Sequence, residues 1–219
     1  MPILGSGLMT HRAASGWWLS GGISAANCKA AYAPKGAASL VASYSNLNAP
    51  GTNDAAPGTA PTWDATNGWI FNGTNQYLTT GIVPAAGYSM IVRFSNLTSD
   101  GYLAGTQQTA APRFFQLLPR ATGNIWIYGD ASKSGAGSTS GVIALAGATG
   151  YFNGASIVTS IGTWSGTSQS VSIYIANLNN NGSPVGGSCC AVYVKAISIY
   201  DFTLNSTQIS ALTTAMNAL

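Results

Sequence analysis

The chain has 219 residues, a formal net charge of +3 and 6% charged residues; its five acids are all aspartates, with no glutamate. Ordinary soluble domains carry about 25% charge, so Ser, Thr, Asn, Gln and backbone groups must meet the water here. The eight Lys and Arg form no run or stripe, which excludes the phosphate-neutralising footprint of a nucleic-acid partner.

Residues 1–62 are rich in Ala, Gly, Ser and Pro, and "NAPGTNDAAPGTAP" (48–61) has the composition of turns and loops. Only "ISAANCKAAY" (23–32) favours a short helix. His11 and Arg12 follow the first apolar residues instead of preceding them, which is the wrong order for a signal peptide. No stretch reaches the roughly 18 apolar residues of a membrane helix, so no membrane partner is expected. Trp17 and Trp18 are candidate assembly contacts, anchoring either onto a partner or onto the protein's own core. Two regions follow: an N-terminal docking segment, 1–62, and a β-sandwich, 63–219.

From residue 63 short apolar runs alternate with Gly, Asn and Pro, the pattern of a sandwich or barrel. The expected strands include "GWIFN", "QYLTT", "YSMIVRFS", "GYLAGT", "RFFQLLP", "NIWIYG", "GVIALAG", "GYFNGASIV", "SVSIYIANL" and "AVYVKAISIY". The two-residue period of a strand places Met90, Val92 and Phe94 on one face and Ile91 and Arg93 on the other. It likewise aligns Val171, Ile173 and Ile175. Trp69 and Phe71 share an inward face. Asn72-Gly73 and Asn153-Gly154 suit the positive φ of tight hairpin turns, and each is expected to join paired strands.

In "NIWIYGD", if Ile125 and Ile127 face inward, Trp126 and Tyr128 face out beside Asp130. That trio is a candidate glycan surface, with Tyr102 as a further candidate; the alternative is that the aromatics pack inside. At the C-terminus, "LNSTQISALTTAMNAL" predicts a short helix. Asn205 and Gln208 have capping-box spacing, Leu204 and Ile209 that of a hydrophobic staple, and Ile209, Leu212, Met216 and Leu219 form one apolar stripe.

Cys28, Cys189 and Cys190 are odd in number and lack metal-ligand spacing, so they read as small buried hydrophobes. Asp54, Asp64, Asp100, Asp130 and Asp201 show no paired spacing, and a nucleophilic triad would have to recruit His11, the single histidine. The inventory therefore disfavours catalysis, and no cofactor or metal is assigned.

"GWIFNGTNQYLTTG", "TGYFNGASIV" and "VKAISIYDFTLNSTQISAL" resemble segments of the laminin G-like, concanavalin A-like lectin and glucanase superfamily, especially its phage and bacterial surface modules. The resemblance spans about 63–219 and implies an all-β fold, an antiparallel jelly-roll sandwich with an irregular N-terminal segment and a short C-terminal helix. The glucanases of that group use a Glu-x-Asp-x-Glu strand, since hydrolysis needs paired carboxyls, and this chain has none. Low charge, which favours self-association, combines with the resemblance into a first expectation. It is a non-enzymatic virion structural, decoration or adhesion protein on a phage surface, contacting other virion subunits or copies of itself. A free carbohydrate-binding lectin, with a cell-surface glycan as partner, is the alternative; an Asp-dependent glycosidase is a remote third.

Overall fold

The computed structural model describes residues 16–108, 113–120, 123–165 and 170–219. In chain order the first strands are β1 (Cys28–Tyr32), β2 (Ala56–Thr59), β3 (Thr62–Asp64), β4 (Gly68–Asn72), β5 (Tyr77–Thr79), β6 (Ser89–Ser95), β7 (Ala104–Gln108), β8 (Arg113–Leu118) and β9 (Asn124–Gly129). There follow β10 (Ala131–Gly135), β11 (Gly141–Ala146), β12 (Thr149–Phe152), β13 (Ala155–Val158), β14 (Tyr174–Ile175), β15 (Leu178–Asn180), β16 (Ser183–Pro184) and β17 (Ala191–Tyr200). A one-turn helix α1 (Leu40–Ser43) and the C-terminal helix α2 (Ser206–Asn217) complete the elements.

Two antiparallel sheets form the expected jelly-roll sandwich. The first runs β13-β12-β11-β6-β17-β4-β3, with β1 on the same edge of β17 beyond β4. The second runs β10-β9-β8-β7-β14-β5-β2; β15 lies parallel to β7 and pairs with β16. Between the sheets sits the main core, where Trp69, Phe71, Met90, Val92, Phe94 and Ile143 meet Leu78, Phe115, Leu117, Trp126 and Ile175. The strand period thus works as read at β4 and β6. Ile91, on the opposite face of β6, enters a second core beneath α2 with Val142, Ala144 and Ala196.

Helix α2 closes that second core. Asn205 and Gln208 form the full capping box, and Ile209, Leu212 and Met216 are completely buried. Arg93 reaches past this layer to donate from Nη1 to the Met216 carbonyl at 2.8 Å, a cation satisfying one of the orphan carbonyls at a helix C-terminus.

The N-terminal segment departs from its expected form. Residues 23–32 are no helix: a 3-10 turn (Ala25–Asn27) leads directly into β1, whose residues pair with β17, and β2 adds an edge to the second sheet. Alternation is hard to see in "CKAAY" because alanine suits either face; burial on both sides, between the main core and the α2 layer, explains the run. Buried Asn46 ties the following loop to β1. Its Oδ1 accepts from Ala31 N at 3.0 Å, and its Nδ2 donates to the carbonyls of Lys29 and Thr52. Lys29 also pairs with Asp201 at 2.6 Å, joining β1 to the end of β17.

Two turn expectations part company. Asn153-Gly154, with φ of 48° and 85°, joins β12 to its partner β13. Asn72-Gly73 does not join paired strands, since β4 belongs to the first sheet and β5 to the second. Instead Asn72 folds the crossing loop on itself, its Oδ1 accepting from the backbone N–H of Thr74 and Asn75. "SVSIYIANL" also fails to run as one strand. Ala176, at φ 63°, breaks it into β14 and β15.

These anchors carry three stability predictions. Met216→Ala should cost about 2–5 kcal/mol by leaving a cavity, and Asn205→Ala about 0.5–2 kcal/mol by removing the cap, both read from urea denaturation midpoints. Burial opposes the charge on Asp201, but the hydrogen bonds from Lys29 and Asn27 outweigh it and hold the carboxyl below its ordinary range. A lowered folded-state value stabilises above the unfolded carboxylate's pKa, and the contribution disappears as pH falls through the folded value. The acid limb of stability against pH should therefore be shallower in Asp201→Asn than in the wild type.

Candidate functional site

Of the two facings open to β9, the structure takes the one that packs the aromatics inside. Trp126 is fully buried and Tyr128 nearly so, both in the core between the sheets, while Ile125 and Ile127 are partly exposed. Register shows why: Trp126 lies opposite Leu117 and Tyr128 opposite Phe115, so all four occupy the inward phase of β8 and β9. Glycines make room for the indole. A Cβ on Gly150 would stand 2.6 Å from the Trp126 ring, and one on Gly135 3.0 Å. Tyr128 is fixed at its hydroxyl, which accepts from Gly87 N at 2.9 Å, and its ring tilts against Trp164. Neither aromatic is available to a ligand.

The opposite phase builds a surface instead. Gly105, Gln116, Ile127 and Ser132 stand in one row across β7, β8, β9 and β10, and Gln107 faces Phe114 two residues along. Gln107, Phe114, Gln116, Ile127 and Ser132 border, together with Tyr102 and Asp130, an open depression of about 210 Å³. Two of the four predicted glycan-site residues, Tyr102 and Asp130, are thus brought to one place. At its floor Gln116, only 1% exposed, donates from Nε2 to Gln107 Oε1 at 3.0 Å. Asp130 is exposed at the rim, where its Oδ1 accepts from Thr163 N at 2.8 Å. The volume is below the roughly 300–1,000 Å³ of small-molecule pockets, and the form is that of an open platform.

Phe114, Gln116 and Gln107 were not singled out by sequence. The signal was present in "RFFQLLP", because two adjacent phenylalanines on a strand cannot both point into the same core.

Trp17 and Trp18 lie on the protein's own body. Trp17 is buried in the layer under α2, and Trp18 donates from its indole N–H to Asn48 Oδ1 at 3.1 Å and accepts at its carbonyl from the Tyr200 hydroxyl. Trp17 therefore has little ring surface left for the expected assembly contact, whereas Trp18 is part-exposed. His11 falls outside the described residues.

The five carboxylates sit on separate elements. Asp54 accepts from Asn46 N and Gly51 N, Asp64 from Thr66 N and Asn67, Asp100 pairs with Arg120, Asp130 holds Thr163, and Asp201 holds Lys29 and Asn27. Among the described residues no group of three or more His, Cys, Asp or Glu is placed to hold a metal. The cysteines are free and buried, and burial pushes the Cys28 and Cys190 thiols up to about 12. No helix among the described residues is long and apolar enough to cross a membrane.

No protein-family model matches the chain, and no curated protein matches it. Solved structures do. A Trypanosoma rangeli sialidase in complex with 2,3-difluorosialic acid aligns with a TM-score of 0.63 at 16% identity over 88% of this chain. The same sialidase with sialic acid aligns at 0.61 and 17% identity, over 88% of this chain. The chain spans about a third of the length of those sialidase chains, 33% in each case. Domain 4 of AbnA, a GH43 extracellular arabinanase from Geobacillus stearothermophilus, in complex with arabinotriose, aligns at 0.57 and 17% identity, over 85% of this chain and 98% of that one. At such identities the likeness is one of fold, a β-sandwich of the concanavalin A-like kind.

These matches correct the first functional expectation. The neighbours are domains of glycosidases, not phage structural, decoration or adhesion proteins, and they supply no laminin G likeness. The virion-surface placement goes with it. Low charge favours association without specifying a particle, which is why composition misled.

The inward facing of the β9 aromatics yields a sharp expectation for Trp126→Ala. Truncation should destabilise the fold by about 3–5 kcal/mol, measured by chemical denaturation, because the indole fills core space; unchanged stability would mean that the ring lies outside.

Proposed function

We propose that this domain is a carbohydrate-binding β-sandwich and that the depression on the outer face of β7–β10 takes a neutral glycan. The observation that carries the reading is the amide pair of buried Gln116 and part-exposed Gln107, set beside Phe114 and Tyr102. Sugars present hydroxyls in the ring plane and C–H groups on the ring face. Carboxamides match the first with donor and acceptor atoms, and aromatic rings match the second. Among the described residues the border includes one carboxylate, Asp130, and no Lys or Arg. A negatively charged sugar would meet like charge there, so neutral sugars are favoured over sialic acid despite the sialidase likeness. The arabinotriose complex of the arabinanase domain supports an oligosaccharide of uncharged units.

Binding without bond cleavage belongs to the same reading. Glycoside hydrolysis needs an acid and a second carboxyl across the scissile bond. The chain contains no glutamate, and its aspartates are committed one by one to separate turns and ion pairs. Asp130 is the one carboxylate at the depression.

A glycan array and calorimetry with neutral oligosaccharides, arabinotriose among them, test the proposal. Wild type should bind neutral chains in preference to sialylated ones, and Phe114→Ala should weaken that binding about tenfold, or 1.4 kcal/mol, with its urea midpoint nearly unchanged. A blank array, or full binding by Phe114→Ala and Gln116→Ala together, would overturn it.

A further inference from the structure

A second depression, of about 300 Å³, opens where the β4–β5 crossing loop meets the chain around β15 and β16. Thr59, Thr74, Asn75 and Tyr77 border it on one side, and Asn177, Pro184, Val185, Gly186 and Cys189 on the other. We propose that it is a further binding site for an uncharged, hydroxyl-rich ligand of the sugar class, distinct from the β7–β10 surface. The glycan-binding reading supplies only the ligand class; the site itself stands on its own residues.

Three features make it a built site. The first is Asn177, only 2% exposed, whose Oδ1 accepts from Leu178 N at 2.7 Å while its Nδ2 donates to Cys189 Sγ at 3.2 Å. A thiol is a weak acceptor, so a ligand hydroxyl offers that buried amide a better partner than the one it has. The second is Tyr77, whose ring stacks on Tyr174 at 4.9 Å and lies so close to Gly58 that a Cβ there would come within 2.0 Å of it. The ring is held before any ligand arrives, and little rotamer freedom remains to be lost on binding. The third is the loop carrying Thr74 and Asn75. Asn72 accepts from both of their backbone N–H groups and donates from Nδ2 to Asn75 Oδ1, and Gln76 Oε1 accepts from Asn72 N.

The lining selects the ligand class. Among the described residues it holds amide, hydroxyl and phenol groups with an apolar Pro184–Val185 wall, and no Asp, Lys, Arg or His. An ionised ligand would lose hydration here without a countercharge, whereas a sugar ring offers hydroxyls to Asn177, Asn75, Thr74 and Thr59 and its C–H face to the wall. Cys189 is fixed at the base through its bridge to Tyr102, whose N–H donates to Ser188 O at 3.0 Å.

The test is an amide-resolved NMR titration of the intact domain with a panel of neutral trisaccharides that includes arabinotriose. Resonances of Thr74, Asn75 and Gly186 should shift saturably, separately from those of Gln107 and Gln116. Gly186 has negative φ and open space around its Cβ position, so Gly186→Trp can fill the depression without disturbing the fold. That variant should weaken the Thr74/Asn75 isotherm at least about tenfold and leave the Gln107/Gln116 isotherm unchanged, and Phe114→Ala should do the reverse. If trisaccharides shift only Gln107 and Gln116, or if Gly186→Trp leaves the Thr74/Asn75 isotherm intact, the second site falls while the proposed function stands. If no trisaccharide shifts either set, both fall.

Discussion

The architecture depends on the burial of Trp126 between the sheets. Its ring lies over Gly150 of β12 and beside Gly135 of β10 with no exposed surface, although its indole N–H finds no hydrogen-bond partner among the described residues. Magnitudes explain why burial wins. Removing about 150–250 Å² of aromatic surface from water contributes roughly 4–6 kcal/mol at about 25 cal/mol per Å². The unpaired N–H costs about 1–3 kcal/mol. Once that ring is inside, strand alternation fixes everything beside it: Phe115, Leu117 and Tyr128 turn inward, and Phe114, Gln116 and Ile127 must turn outward.

The outward set acquires its chemistry from the same shortage of charge that marks the whole chain. With 6% charged residues, polar contacts on the sheet face are made by carboxamides and hydroxyls. The Gln116–Gln107 pair is one instance, and the Asn72–Asn75–Gln76 loop another. Such groups bind uncharged hydroxyls well and are poor acids and bases, so the proposed neutral ligand and the absence of a paired-carboxylate site have one physical origin.

Much of the fold was legible because its strongest signals are local. Trp69 and Phe71, the alternation in β6, and the Asn205 capping box with its Ile209–Leu212–Met216 stripe each place side chains by short-range rules. What escaped depends on distant pairing. β1 is an alanine-rich strand recognisable only by its partner β17, and β2 only by β5. At β9 the phase of "NIWIYG" is ambiguous in isolation, since Ile and Trp alternate and either set could be buried; the glycines that admit the indole lie 24 residues on and in the next strand. The candidate surface was therefore half legible: Tyr102 and Asp130 had been singled out and lie on it, while Phe114 and Gln116 needed the register of β8.

The central claim is that the outward phase of β8, not the aromatic phase of β9, meets the sugar. Intermolecular nuclear Overhauser effects between a bound neutral oligosaccharide and the protein's aromatic protons test it most directly. Contacts to the Phe114 and Tyr102 rings, with none to Trp126 or Tyr128, are the predicted result. Contacts to the Trp126 indole would contradict both the phase of the sheet and the site built on it.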